Sequence, residues 1–90
     1  MVGKPSENTI IWSLKAAKQL RKLDPQHQRP IRDGVETLRG MPDCTNIKQL
    51  KGETYGYRLR VGNYRVMFDF DGKVRIVSIQ EVKLRNEQTY

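Results

Sequence analysis

Apolar and polar positions alternate in two short runs, residues 57–61 and 64–68, separated by Gly62-Asn63. Strict alternation at period two marks a half-buried strand. A Gly-Asn pair between two such runs predicts a two-residue type II′ hairpin turn, because Gly accepts the positive φ at the first loop position. That turn sets the register: Val61 opposite Tyr64, Arg60 opposite Arg65, Leu59 opposite Val66, Arg58 opposite Met67, Tyr57 opposite Phe68. Successive side chains point to opposite faces of a strand. One face therefore collects Tyr57, Leu59, Val61, Tyr64, Val66 and Phe68, and the other Arg58, Arg60 and Arg65.

Upstream, the β-rich run Thr9-Ile10-Ile11-Trp12 predicts a first strand, and Ser13 is a helix N-cap candidate. Ala16, Ala17, Leu20 and Leu23 then recur at helical spacing, with Lys15, Lys18, Gln19, Arg21 and Lys22 on the remaining surface. Asp24-Pro25 stops this helix and starts another, whose apolar positions Ile31, Val35 and Leu38 carry through to Arg39. Pro30 inside it should kink the first turns or delay the regular start. Gly40 and Pro42 close it.

Residues 41–54 are mostly polar and read as a loop, with Ile47 and Leu50 turned inward. After the hairpin, Asp71-Gly72 predicts a three-residue loop with Gly72 in the left-handed position, leading into a strand over residues 74–82. Phe68 would then face Val74, Val66 face Ile76, Met67 face Arg75, Arg65 face Val77, and Asp69 pair with Lys73. In that register Arg75, Val77, Ile79, Glu81 and, by extension, Lys83 share the arginine face. The element order predicts an α+β fold: a small antiparallel sheet of about four strands packed on an N-terminal helical hairpin. Residues 1–90 read as one domain, with residues 1–8 as a polar N-terminal arm.

The net charge of +7 on 90 residues narrows the class of partner. It points to a polyanion, most often nucleic acid, or to an acidic protein. The single cysteine, Cys44, and single histidine, His27, leave no internal disulfide and no zinc-ligand set, and they fit a cytoplasmic setting. Trp12 and Phe70 read as packing residues. No apolar run approaches the ~20 residues of a membrane span, and MVGKPSEN lacks the apolar stretch of a signal peptide. No membrane, metal or small-molecule cofactor is expected.

Guanidinium forks bind phosphate oxygens bidentately and stay charged at any physiological pH. Arg58, Arg60 and Arg65 together suggest a site for a phosphate chain, which Lys48 and Lys51 would extend. Glu81 is the carboxylate whose parity puts it among these cations. It would serve either as a general base toward a ribose 2′-hydroxyl or as a salt-bridge partner holding an arginine. Asp43 is a weaker alternative base. A lone histidine excludes a two-histidine ribonuclease mechanism. Lys83, Arg85 and Tyr90 form a polar C-terminal group, in which Tyr90 would stack on a base, stabilise a leaving oxygen, or be frayed.

The segments IIWSLKAAKQLRKLD, Leu50-Lys51-Gly52, YRLRVGNYRVMFDFDGKVRIVSI and the closing basic stretch ending in Tyr90 resemble the RelE/ParE superfamily of bacterial toxin–antitoxin toxins. The resemblance runs over nearly the whole domain and implies a small antiparallel sheet on a helical hairpin. It also implies a ribosome-dependent endoribonuclease that cuts mRNA in the A site without metal, by attack of the 2′-hydroxyl on the adjacent phosphate. A cognate antitoxin would neutralise it.

By position, Arg65 matches the family's phosphate-stabilising arginine, and Arg58 and Arg60 match basic strand positions. Arg85 or Lys83 stands near the C-terminal general acid, and Tyr90 matches the C-terminal tyrosine. Arg60, Arg75, Lys48, Lys51 and Lys83 would bind RNA. The first basic position of the family's strand motif falls on Gly56, and its C-terminal His-Arg pair falls on Val82-Lys83. ParE-like members of the same fold inhibit DNA gyrase instead. A catalytically inactive relative that only docks on an antitoxin or RNA is a further alternative. A generic RNA-binding domain fits less well, since no exposed aromatic pair lies on the basic face.

Overall fold

The alternation read above becomes one sheet in a computed structural model of the protein, in which residues 7–84 are described. The strands are β1 (Thr9–Trp12), β2 (Ile47–Gln49), β3 (Tyr57–Val61), β4 (Tyr64–Asp71) and β5 (Ile76–Leu84), in spatial order β1-β5-β4-β3-β2. Helices α1 (Leu14–Arg21) and α2 (Pro25–Glu36) fall between β1 and β2 in the chain. The α+β class holds, with two differences. The sheet has five strands, and it is mixed, because β1 pairs parallel with β5. β2 was hidden in the sequence because Ile47-Lys48-Gln49 is too short and polar to alternate; its ladder with β3 makes it a strand.

The β3–β4 hairpin has the expected register at all five pairs, from Tyr57↔Phe68 to Val61↔Tyr64. Gly62 has φ +56 while Asn63 is outside the positive region, as a type II′ turn requires. The β4–β5 register differs from expectation. Arg65 faces Lys83 rather than Val77, Met67 faces Glu81 rather than Arg75, and Val66 faces Val82 rather than Ile76. Asp69 pairs with Ser78, not Lys73.

Two local features cause this shift. The connection is a longer loop, residues 72–75, in which Asp71 Oδ1 accepts the backbone N–H groups of Lys73 (2.9 Å) and Val74 (3.4 Å). The left-handed residue is Arg75, at φ +59, and not Gly72. A bulge then leaves Gln80 extra, between Phe68↔Ile79 and Met67↔Glu81. Val77 and Ile79, expected on the arginine face, are therefore fully buried in the core.

Both helices pack on the apolar face. Ala16 and Leu20 of α1, Ile31 and Val35 of α2, and Leu59, Val66, Phe68, Val77, Ile79 and Val82 of the sheet form one cluster, joined at its margin by Trp12 and Phe70. Ser13 caps α1 through its side chain, accepting from Ala16 N at 3.0 Å. α2 opens at Pro25 without delay and ends at Glu36; a 3-10 turn, Thr37–Gly40, then carries Leu38 into the core. Gly34 lets α2 approach β3, since a Cβ there would stand 2.8 Å from Val61 Cγ2.

Asn8, at the end of the expected N-terminal arm, is buried. Its Nδ2 lies within hydrogen-bond reach of the carbonyls of Leu38, Arg39 and Met41, at 3.0–3.1 Å. It ties the chain entering β1 to the turn after α2.

Candidate nucleic-acid interface

The face of the sheet opposite the helices carries the basic side chains in two rows. Antiparallel partners share a face, so one row runs Lys48, Arg58, Met67, Glu81 across β2, β3, β4 and β5. The next runs Arg60, Arg65, Lys83 across β3, β4 and β5. Partner Cα atoms in such ladders lie about 4.5–5.5 Å apart. Met67 is only 8 % exposed although it lies on the polar face. Its cross-strand neighbours are Arg58 and Glu81, whose long stems suit the role of cover.

Within the described residues the guanidinium groups are not neutralised. Among the described residues, Arg58, Arg60, Arg65 and Lys48 form no ion pair. Arg65 is half-buried, and its Nε is shut off from solvent with no acceptor among the described residues. A buried donor without a partner costs about 1–3 kcal/mol, which an anion accepting from that guanidinium would offset. Mutual repulsion adds roughly 1 kcal/mol per close pair even at the dielectric of water.

Two acids border the face, and both are engaged elsewhere. Asp69, on the face of β4 that carries Arg65 and Met67, accepts from Gly56 N at 2.8 Å through Oδ1 and from Gln80 Nε2 at 3.3 Å through Oδ2. Glu81 stands 3.7 Å from Lys15 Nζ, so its ion pair is with α1 and not with an arginine. The bulge at Gln80 is what puts Glu81 and Lys83 on this face, by a register other than the expected one.

Other expected positions separate. Lys48 joins the face at the β2 edge, and Lys51 is exposed in the loop that follows β2. Arg75 does not join. It sits in the β4–β5 loop beyond Asp71, six β4 residues and roughly 20 Å from Arg65. Arg85 and Tyr90 lie outside the described residues. His27 is exposed on the helical side, its Nδ1 3.1 Å from the Tyr64 hydroxyl. Cys44 is half-buried, and its thiol donates to the Thr37 carbonyl at 3.2 Å. Burial, and secondarily Asp43, push that thiol's pKa up. Lys15, Asn46 and Gln80 border the face without having been singled out in the sequence. Lys15 sat on a polar helix surface, and Asn46 and Gln80 matter only once β2 and the bulge exist.

Among the described residues no three His, Cys, Asp or Glu side chains come together, and no helix is long and apolar enough to cross a membrane.

The arrangement has counterparts. The family described as ParE toxin of the type II toxin–antitoxin system parDE matches residues 10–88. The Methanocaldococcus jannaschii protein named "Putative toxin RelE1" is 31% identical over 74 residues, covering 79% of this chain and 82% of that protein. The fold superposes on the toxin–antitoxin complex RelBE2 of Mycobacterium tuberculosis with a TM-score of 0.77 and 26% identity, covering 88% of this chain and 99% of that one. For the archaeal RelE–RelB complex of Pyrococcus horikoshii the TM-score is 0.76 at 23% identity, covering 91% and 99%.

Proposed function

The chain belongs to the RelE/ParE toxin superfamily of toxin–antitoxin systems, and from that premise we propose that it is a ribosome-dependent endoribonuclease that cuts mRNA in the A site. The observation that supports this reading is the cluster of Arg58, Arg60 and Arg65, none of them ion-paired among the described residues, with Arg65 Nε buried and unpartnered there.

In the proposed reaction the ribose 2′-oxygen attacks the adjacent phosphorus, and the bond to the 5′-oxygen of the next nucleotide breaks. The 2′-hydroxyl proton goes to a base and the leaving oxygen takes one from an acid, giving a 2′,3′-cyclic phosphate and a 5′-hydroxyl. Negative charge builds on the phosphorane oxygens. Pre-oriented donors aimed at such charge are usually the largest catalytic term. Arg65 and Arg58 take that role. Glu81 is the proton acceptor on the same face, held from the side by Lys15. Arg85 or Lys83 supplies the acid, and Tyr90 stacks on a base or stabilises the leaving oxygen. Lys48, Lys51, Arg60 and Lys83 guide the RNA backbone; Arg75 is left out of this track by its place in the loop.

The partner in this reading is a cognate antitoxin with an acidic or amphipathic segment that covers the arginine face or displaces the C-terminal tail. The M. tuberculosis and P. horikoshii structures, both complexes by name, support an antitoxin partner as such.

One observation favours a second reading, inhibition of DNA gyrase. Two basic positions of the nuclease pattern are filled here by Gly56, where a Cβ would lie 3.3 Å from Asp69 Oδ1, and by Val82, which is buried in the core. A translation extract with a defined message separates the two. Wild type should cut ribosome-bound mRNA, and Arg65→Ala should cut it about 100-fold or more slower. An intact message together with blocked gyrase supercoiling would give the second reading the site.

A further inference from the structure

At the β2 edge of the basic face, beside the proposed reacting site, the sheet forms a pocket. Lys48 lies opposite Arg58 in the β2–β3 ladder. The ladder continues one step beyond Ile47↔Leu59, because Asn46 O accepts from Arg60 N at 3.0 Å. Asn46, Lys48, Arg58 and Arg60 therefore stand at the corners of a rectangle on one face, about 4.8 Å across the strands and about 6.8 Å along them. Together with Ile47 they line a pocket of about 220 Å³.

The chemistry of these corners is one-sided. Three are cations with donors only, and the fourth is an amide. Among the described residues no carboxylate lines the pocket, and none of the four side chains is bonded to another of them. Asn46 holds φ +64, a conformation Asn tolerates better than most residues, and it places the amide at the open end of the strand.

Arg58 and Arg60 belong both to this rectangle and to the cluster with Arg65, so the two sites are continuous. Their centres are one strand apart, a step of roughly 5 Å, short enough for adjacent phosphates of one single strand. A lone carboxylate would be over-neutralised among three cations, whereas a phosphodiester chain brings a negative charge at every step.

We propose that this pocket is a second phosphate subsite, which holds the backbone phosphate next to the reacting one and directs the RNA across the sheet from β4 toward the β2 edge. The identity of the strand as message rests on the nuclease reading above.

The test measures binding of a short 2′-O-methyl RNA, which cannot be cut, across a salt series, alongside cleavage of ribosome-bound mRNA. Lys48→Ala should weaken binding several-fold and lower the slope of log K against log salt by about one. Asn46→Gly keeps the left-handed backbone, and should weaken binding while leaving the slope unchanged. Lys73→Ala, in the distant β4–β5 loop, should change neither. Wild-type affinity and slope in both pocket variants would overturn the subsite even if the wild-type protein cuts mRNA. With an acidic peptide as a second probe in the same assay, weakening of peptide binding by Lys48→Ala without weakening of RNA binding would also overturn it, assigning the pocket to a protein partner. Lys48-dependent RNA binding by a wild-type protein that cuts no message would sink the nuclease reading and leave the pocket standing as a nucleic-acid subsite.

Discussion

The β3–β4 and β4–β5 hairpins share a strand, yet only the first follows from its own residues. Its two-residue turn at Gly62-Asn63 leaves one register open, and all five cross-strand pairs obey it. The second closes through residues 72–75, where the Asp71 carboxylate gathers two backbone N–H groups and Arg75 takes the left-handed position. It then inserts Gln80 as a bulge. A tight turn transmits register along both strands, whereas a longer loop and an extra residue let packing choose it. Packing chose to bury Val77 and Ile79 against Phe70 and Phe68, and the bulge returned Glu81 and Lys83 to the polar face.

The largest blow to this arrangement falls where the hairpins meet. Phe68 is fully buried, stacks on Tyr57 at 5.3 Å, and borders the bulge. Phe68→Ala should cost about 3–5 kcal/mol in urea unfolding; a cost under 1 kcal/mol would mean that β4 does not anchor both registers. Smaller and more selective is Gly62→Ala. It forces a Cβ onto φ +56 and should cost about 1–2 kcal/mol. Gly72→Ala is the contrasting case, because Gly72 has no positive φ and a Cβ there meets Phe70 at ordinary contact, 3.5 Å. Its effect should stay within about 0.5 kcal/mol. Equal costs at the two glycines would restore the three-residue loop expected from the sequence.

The smallest effect is one of reactivity. The Cys44 thiol, hydrogen-bonded to Thr37 O just before β2, has a raised pKa. It should alkylate more slowly than free cysteine at pH 8 and faster as pH rises. Its sign in stability follows from linkage: the folded state keeps this proton longer, so the contribution is whole below the unfolded thiol's pKa and is lost as pH climbs through the folded one. The same probe sharpens the comparison, because alkylation should quicken in Gly62→Ala, which loosens the β3 side, and not in Gly72→Ala.

Much of the fold was legible because its signals are local. Ser13 as a cap, Pro25 opening α2, Ile31, Val35 and Leu38 turned inward, and the β3–β4 register all depend on residues within a few positions of each other. β2 was not legible: three residues, two of them polar, form a strand only because β3 offers them partners. Asn8 looked like part of a solvated arm, since nothing nearby announces three carbonyls from a turn some thirty residues away. The candidate site divides in the same way. Arg58, Arg60 and Arg65 were placed on one face by the turn alone. Glu81 and Lys83 reached that face through the bulge, while Arg75 left it for the loop. Arg85 and Tyr90 lie outside the described residues.

By itself, then, the chain determined its strand periodicity, its helix starts, its excess of positive charge and the outward turn of three arginines, because periodicity and turn chemistry act over a few bonds. Tertiary structure alone decided that β1 runs parallel beside β5, that β2 exists, and which half of β5 faces the core. Those outcomes compare the burial of whole strands against one another, a free-energy difference that no short stretch of residues contains.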